Sequence, residues 1–234
     1  MTRSVFCAVL TMDRELPKGP YSVSWSGGKD SALSLWRVWS SVGAPAALLT
    51  LFIEDGSRSR SHGLRPDVLA AQADAMGVPL AVASTSWQDY EMHFTAMLRE
   101  LQRERGIQAM VFGDIDLEPH REWCQRVCAN VGIACVHPLW LDAREALLDE
   151  FLAAGFATRL VAVQDGKLDP RLLGRVIDAE LIGEFRKAGI DLCGENGEYH
   201  SVVTDGPCFR QPVRLKAGAQ VLRDGYWFLD FERE

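Results

Sequence analysis

The clearest chemistry in this 234-residue chain lies in six consecutive residues, Ser26-Gly27-Gly28-Lys29-Asp30-Ser31. A segment that reads as a strand, 21–25, precedes them, and a segment that reads as helix, 30–42, follows. Two glycines let the backbone turn tightly and come close to an anion. Free amides and the positive end of a helix dipole then bind phosphate. Lys29 adds charge, and Ser26 and Ser31 add hydroxyl donors. Asp30 is a poor phosphate ligand but a good one for a magnesium ion riding on the phosphates. The loop is not a Walker A motif: Val23 stands where that pattern needs glycine, and Asp30 where it needs serine or threonine. No Gly-x-Gly-x-x-Gly is present. The plainer alternative is a glycine-rich strand–helix turn.

A second constellation is Gly194-Glu195-Asn196-Gly197-Glu198-Tyr199-His200-Ser201. Glu195 and Glu198, three apart in a glycine-flanked turn, can face one pocket. Paired carboxylates there can hold a cationic group, bind a second metal ion or take a proton from ammonium. His200 can relay that proton at neutral pH, and Tyr199 reads as packed. The alternative is a turn whose glycines supply unusual backbone angles and whose acids are solvated. Gly113-Asp114-Ile115 ends an apolar run; Asp114 suits magnesium or a ribose, or caps the next helix. Ser61 and His62 either line an adenine or substrate pocket or sit on an exposed loop. His120 and Arg121 either contact phosphate or an acyl-adenylate or simply begin a helix. Trp140 can stack on a base, cage a quaternary ammonium or belong to the core. The six cysteines include no Cys-x-x-Cys pair. Cys124 and Cys128 share a helix face but lack a second ligand pair nearby, so a zinc site is not expected. Free buried thiols in a reducing cytoplasm are the expectation, and Cys193 is not read as a nucleophile.

Elements must position these groups. Apolar runs at 21–25, 46–53, 78–83, 107–112 and 133–136 alternate with helical segments at 30–42, 65–76, 90–105 and 119–131. In the third helix Phe94, Met97, Leu98 and Leu101 share one face. This alternation predicts an α/β fold, a parallel five-stranded sheet with helices on both faces. Its ligands belong outside the carboxyl ends of the strands, at loops 26–31, 54–63, 84–89, 113–118 and 137–141. Beyond Trp140 the texture changes. Asp142 and Glu145 have capping-box spacing ahead of a helix over 146–154, with Gly155 as its stop. A strand is expected over 156–163, and Asp169-Pro170 opens a helical pattern running through Leu172, Leu173, Val176, Ile177, Leu181 and Phe185. Asp224-Gly225 signals a hairpin. The expected organisation is an N-terminal extension (1–19), a nucleotide-binding domain (20–141) and a smaller mixed α/β subdomain (142–234).

Charge narrows the function classes. Lys and Arg total 25 against 32 Asp and Glu, a net charge of −7. A broad basic nucleic-acid surface is therefore not expected. Arg58, Arg60 and Arg65 form the densest local basic patch, with a solvated loop as the alternative. No apolar run approaches the ~18 residues of a membrane span. The apolar stretch 5–10 after Arg3 faintly resembles a signal peptide but lacks a small-residue cleavage site; an edge strand or a tail is expected instead. Met12 is an alternative start.

The loop 26–31 and its preceding strand resemble the pyrophosphate loop of the PP-loop ATPases, in the adenine nucleotide alpha-hydrolase-like superfamily. Gly113-Asp114-Ile115 with His120-Arg121 and Cys128, Pro138-Leu139-Trp140, Asp169-Pro170-Arg171-Leu172-Leu173-Gly174, the Gly194–Ser201 run and Asp205-Gly206-Pro207 together resemble the diphthine–ammonia ligase family over residues 20–215. Segments 57–63 and 113–123 look like a bacterial-type branch. The resemblance implies a cytoplasmic, magnesium-requiring ligase that cleaves ATP to AMP and pyrophosphate, adenylates a carboxylate and amidates it with ammonia. It implies nucleotide contacts from Ser26, Gly27, Gly28, Lys29, Asp30, Ser31, Gly113 and Asp114. Magnesium falls to Asp30, and catalytic work to Lys29, Asp30, Glu195, Glu198 and His200. The implied acceptor is diphthine on an elongation factor in an archaeal or eukaryotic source, and a small molecule, as in cofactor salvage, in a bacterial one. Sulfur transfer to tRNA and a non-catalytic nucleotide sensor are the alternatives. Oligomeric state is left open.

Overall fold

The computed structural model describes residues 15–234; the expectations for residues 5–10 and Met12 lie outside that range. The chain forms two compact units that do not follow sequence order. One takes residues 15–25, Asp30–Glu54 and Val78–Leu141; the other takes Ser26–Lys29, Asp55–Gly77 and Asp142–Glu234.

The first unit carries a five-stranded parallel sheet: β1 (Tyr21–Ser24), β2 (Ala47–Phe52), β3 (Leu80–Ser84), β4 (Ala109–Val111) and β5 (Ala134–Val136), in the order β3-β2-β1-β4-β5. Every residue of β2 and β4 is buried, as their near-continuous apolar composition requires, whereas the edge strands β3 and β5 are half-exposed. Three helices connect them within this unit: α1 (Lys29–Val42), α3 (Tyr90–Arg105) and α4 (Glu118–Ala129). The predicted face of α3 is the buried one: Phe94, Leu98 and Leu101 pack with Leu49, Leu51, Met110 and Phe112. The order of strands reverses between β1 and β4. A doubly wound sheet opens its binding crevice outside the carboxyl ends of that pair, and Gly113 follows β4 there.

The second unit holds helix α2 (Pro66–Met76), helix α5 (Arg144–Ala153), helix α6 (Ala179–Ala188) and an antiparallel sheet. Its strands are β6 (Ala157–Gln164), β7 (Tyr199–Asp205), β8 (Leu215–Arg223) and β9 (Tyr226–Arg233), in the order β7-β6-β9-β8. The β8–β9 hairpin turns at Asp224 and Gly225, both with positive φ (50° and 79°), as a two-residue type I′ turn demands. The register of β6 against β7 shifts between Leu160, opposite Ser201, and Ala162, opposite His200; Val161 is the extra residue of a bulge.

Two local expectations are corrected. Asp142 and Glu145 form no capping box: Ala143 is the N-cap of α5 without a side-chain hydrogen bond, and Glu145 pairs with Arg186 at 3.1 Å. The single helical pattern from Pro170 to Phe185 is broken. Pro170–Leu172 makes one 3-10 turn, then Gly174 adopts φ 81° and the chain lies along β6. The Gly174 amide bonds the Leu160 carbonyl at 2.9 Å and the Ile177 amide the Thr158 carbonyl at 3.0 Å. With those amides committed to a strand, α6 starts afresh at Asp178, whose carboxylate caps the Leu181 amide at 2.9 Å.

Candidate functional site

The glycine-rich loop is built from its backbone outward. Gly27 adopts φ 80°, a conformation glycine reaches without strain. Its carbonyl accepts from the Val203 amide at 2.9 Å and from Nε2 of the buried Gln72 at 3.0 Å. The Ser26 hydroxyl oxygen accepts from the Gly28 amide at 3.3 Å, which tightens the turn. Gly28 lies directly against the His62 ring: a Cβ there would sit 2.1 Å from the ring's Cε1. His62 Nδ1 in turn lies 2.8 Å from the Ser201 carbonyl, which makes Nδ1 the protonated nitrogen. The Lys29 amide donates to the Ser201 hydroxyl at 3.1 Å.

The Lys29 side chain is buried, with Nζ donating to the Cys193 carbonyl and standing 5.1 Å above the Tyr199 ring. Tyr199 is packed, as expected; its hydroxyl donates to the Leu192 carbonyl at 2.6 Å and its ring stacks on Phe185. The acid-rich turn has two distinct carboxylates. Glu198 is buried, and its oxygens accept the amides of Asp191 at 3.2 Å and Asn196 at 3.1 Å. It therefore shapes the turn that carries Glu195, which is half-buried. Asp191 completes the frame by accepting from the Cys193 amide at 2.8 Å and pairing with Arg144 at 3.0 Å. Burial by itself would raise the Asp191 carboxyl; the amide and the guanidinium outweigh it and hold it below the usual range. The His200 ring lies 4.7 Å from that of His62. Burial, followed by the nearby His62 and Lys29 charges, pushes its pKa down to about 3. His200 is therefore neutral at pH 7, whereas a neutral-pH relay would need a value near 7.

In the sheet unit, Asp30 and Ser31 occupy the first turn of α1, Ser31 buried and Asp30 half-buried. The strand-end glycine has a steric purpose there: a Cβ on Gly113 would lie 2.9 Å from the Ser31 amide nitrogen. Asp114 turns to its own neighbours. One carboxylate oxygen lies 3.1 Å from His120 Nδ1; the other lies 3.8 Å from Cys124 Sγ and 4.0 Å from His137 Nε2. Arg121 pairs with Glu118 at 3.0 Å, and its guanidinium lies 5.0 Å over the Trp140 ring. Trp140 is buried, so it belongs to the core. Two of the three arginines of the basic patch pair within their own unit: Arg58 grips Asp230 with both terminal nitrogens, and Arg65 pairs with Asp67 at 3.1 Å.

Two features escaped the sequence reading. Gln72 lies within a helical pattern and gives no local sign of holding a loop 45 residues away. His137 was reached only as part of a loop; its nearness to Asp114 follows from the pairing of β4 with β5.

Residues 20–135 match the family model described as the diphthamide synthase N-terminal domain, and residues 143–233 match its C-terminal domain. The chain belongs to this family. Diphthine–ammonia ligases are among its curated relatives. The protein from Schizosaccharomyces pombe is 26% identical over 211 residues, 81% of this chain and 35% of that protein. The one from Danio rerio is 27% identical over 220 residues, 84% of this chain and 86% of that protein. The human one is 25% identical over 130 residues, 54% of this chain and 49% of that protein. The chain thus spans about a third of the yeast relative and about half of the human one, but most of the fish relative. Family membership agrees with the resemblance read from the loop and the acid-rich turn. Among the described residues, no helix is long and apolar enough to cross a membrane.

Proposed function

We propose that this protein is an ATP-dependent, amide-forming ligase that adenylates a carboxylate and amidates it with ammonia. The observation that carries the reading is the loop 26–31: a positive-φ glycine, a second glycine pressed against His62 and a buried lysine, at the start of α1. That is the construction of a phosphate-binding helix start, in a chain whose family includes diphthine–ammonia ligases.

In this reading the loop and Lys29 take the β- and γ-phosphates of ATP. The acceptor carboxylate oxygen attacks the α-phosphorus, the bond to the β-phosphate breaks, and pyrophosphate leaves on the loop. Ammonia then attacks the acyl-adenylate carbonyl; AMP departs and the amide remains, with one proton released. Lys29 neutralises charge on the departing pyrophosphate, and the positive end of α1 acts in the same sense. Glu195 attracts ammonium and takes the proton it must lose to attack as ammonia, on a turn that Glu198 holds in shape, and the proton released on amide formation passes to solvent. His200, neutral at pH 7, positions rather than carries protons. Asp30 would hold magnesium, since such ions use one or two carboxylates plus substrate phosphates. Magnesium would supply charge neutralisation for the phosphates. Gly113 admits the start of α1, while the Asp114 carboxylate is engaged with His120 and Cys124. For a bacterial source the acceptor is a small carboxylate; for an archaeal or eukaryotic one it is diphthine on an elongation factor. The place of action is the cytoplasm.

The test is product analysis with α-labelled ATP, magnesium and ammonium, first alone, then with a metabolite fraction, then with elongation factor. Labelled AMP with pyrophosphate, dependent on one acceptor, is expected. Lys29→Ala should lower the rate by two to three orders of magnitude, the typical cost of one charge-stabilising donor. ADP as the labelled product, or an unimpaired Lys29→Ala enzyme, would overturn the assignment.

A further inference from the structure

We propose that Asp114, Cys124 and His137 form a binding site for a zinc-class divalent cation, distinct from the magnesium assigned to Asp30. Each offers one ligand atom, and the three atoms lie within 4.8 Å of one another. The separations already resolved are 3.8 Å from Cys124 Sγ to Asp114 Oδ2 and 4.0 Å from His137 Nε2 to the same oxygen. With metal–ligand bonds of about 2.0–2.3 Å, tetrahedral ligands stand roughly 3.3–3.8 Å apart. The triad therefore needs an inward movement of tenths of an ångström to about one ångström to close on an ion.

The ligands come from three elements of one unit: Asp114 after β4, His137 after β5 and Cys124 on α4. Cys124 and His137 are buried, and Asp114 is one-fifth exposed, which provides the way in. The surroundings hold the ligand atoms in aim. The His137 ring stacks on Phe112 at 5.4 Å and meets the edge of Trp140 at 5.7 Å, which directs Nε2 at Asp114. His120 fixes the other carboxylate oxygen of Asp114, a contact of the kind that orients metal ligands. The donor set decides the ion. One thiolate, one imidazole and one carboxylate suit zinc or cobalt rather than magnesium or calcium, which take oxygen. Thiolate and carboxylate together also balance a divalent charge. Three protein ligands leave a fourth position open to water or substrate, the pattern of catalytic rather than structural zinc.

The experiment uses the whole chain, treated with chelator and titrated with cobalt(II), then with zinc. Cobalt should give a thiolate-to-cobalt charge-transfer band in the near ultraviolet and the visible bands of a tetrahedral site, and one equivalent of zinc should remove both. Cys124→Ser should abolish the near-ultraviolet band, whereas Cys128→Ser, outside the triad, should keep it. Asp114→Asn, nearly the same shape, should weaken cobalt binding tenfold or more with the far-ultraviolet circular dichroism unchanged. His137→Gln should do the same, so the proposal stays testable if Cys124→Ser fails to fold. No cobalt uptake in the micromolar range, an octahedral spectrum without the thiolate band, or a thiolate band that survives Cys124→Ser would each overturn it. None of these readouts depends on ligase activity, so failure here and failure of the ligase reading are distinguishable.

Discussion

The amide of Lys29 donates to the hydroxyl of Ser201, 172 residues further along the chain, at 3.1 Å. The Ser201 carbonyl is meanwhile 2.8 Å from His62 Nδ1. One residue of β7 thus fixes both the glycine-rich loop and the ring that Gly28 packs against. Both contacts arise beside the bulge at Val161, where a strand commonly re-aims its side chains. The loop's conformation is therefore specified by the second unit's sheet as much as by its own glycines.

Ser201→Ala removes the acceptor of a buried amide. An unsatisfied buried donor costs about 1–3 kcal/mol, so a drop in melting temperature of several degrees is expected. Because the hydroxyl acts on loop shape, KM for ATP should rise more than kcat falls. Steady-state kinetics of pyrophosphate release would show this; an unchanged KM would mean the loop keeps its shape without Ser201.

Gly28→Ala tests the close approach to His62. The added Cβ overlaps the imidazole, so the ring or the loop must move, and pyrophosphate release should fall at least tenfold. His62→Ala opens that space. The double variant should recover part of the loss, a coupling of about 0.5–3 kcal/mol in a double-mutant cycle. Recovery will be incomplete, because the Ser201 carbonyl oxygen lies 3.1 Å from the same Cβ position. Strict additivity would place the defect elsewhere.

The parallel sheet was legible because burial on both faces leaves near-continuous apolar runs, as at 46–53, and because glycine and lysine punctuate the turn after β1. The hairpin at Asp224-Gly225 was legible for a similar local reason. What was not legible depends on contacts distant in sequence. Nothing near residue 170 shows that residues 174–177 will pair with β6 rather than continue a helix. Nothing in the Glu195–Glu198 spacing shows that Glu198 will spend its oxygens on its own turn. The triad proposed as a cation site is drawn from three elements, so the cysteine spacing around Cys124 carries no sign of it.

Gln72 supplies a stability prediction. Its Nε2 donates to the Gly27 carbonyl at 3.0 Å and to the Val203 carbonyl at 2.7 Å, and the side chain is fully buried. Gln72→Leu keeps the volume and removes both bonds. A loss of about 1–3 kcal/mol is expected, with each kcal/mol worth about 2–4 °C at this chain length. Thermal unfolding should fall accordingly, and ATP should rescue less of it than in the wild type if Gly27 has lost its anchor. An unchanged melting temperature would show that these carbonyls find other donors.

His200 gives a pH dependence of definite sign. Its folded pKa, about 3, lies below the ordinary histidine value of 6.5. Between those limits the unfolded chain binds a proton that the folded protein does not, so stability rises with pH across that window. Above pH 6.5 both states are neutral at this site and stability is full. As pH falls from 6.5 towards 3, unfolding is favoured by up to about 1.4 kcal/mol per pH unit, the slope of a single proton. His200→Gln cannot take up that proton in either state. In urea titrations from pH 7 to pH 4 the variant should lose stability less steeply than the wild type, with the difference growing as the pH falls. Parallel curves would show that His200 is protonated in the folded protein, and would return to it the proton-carrying role that burial removes.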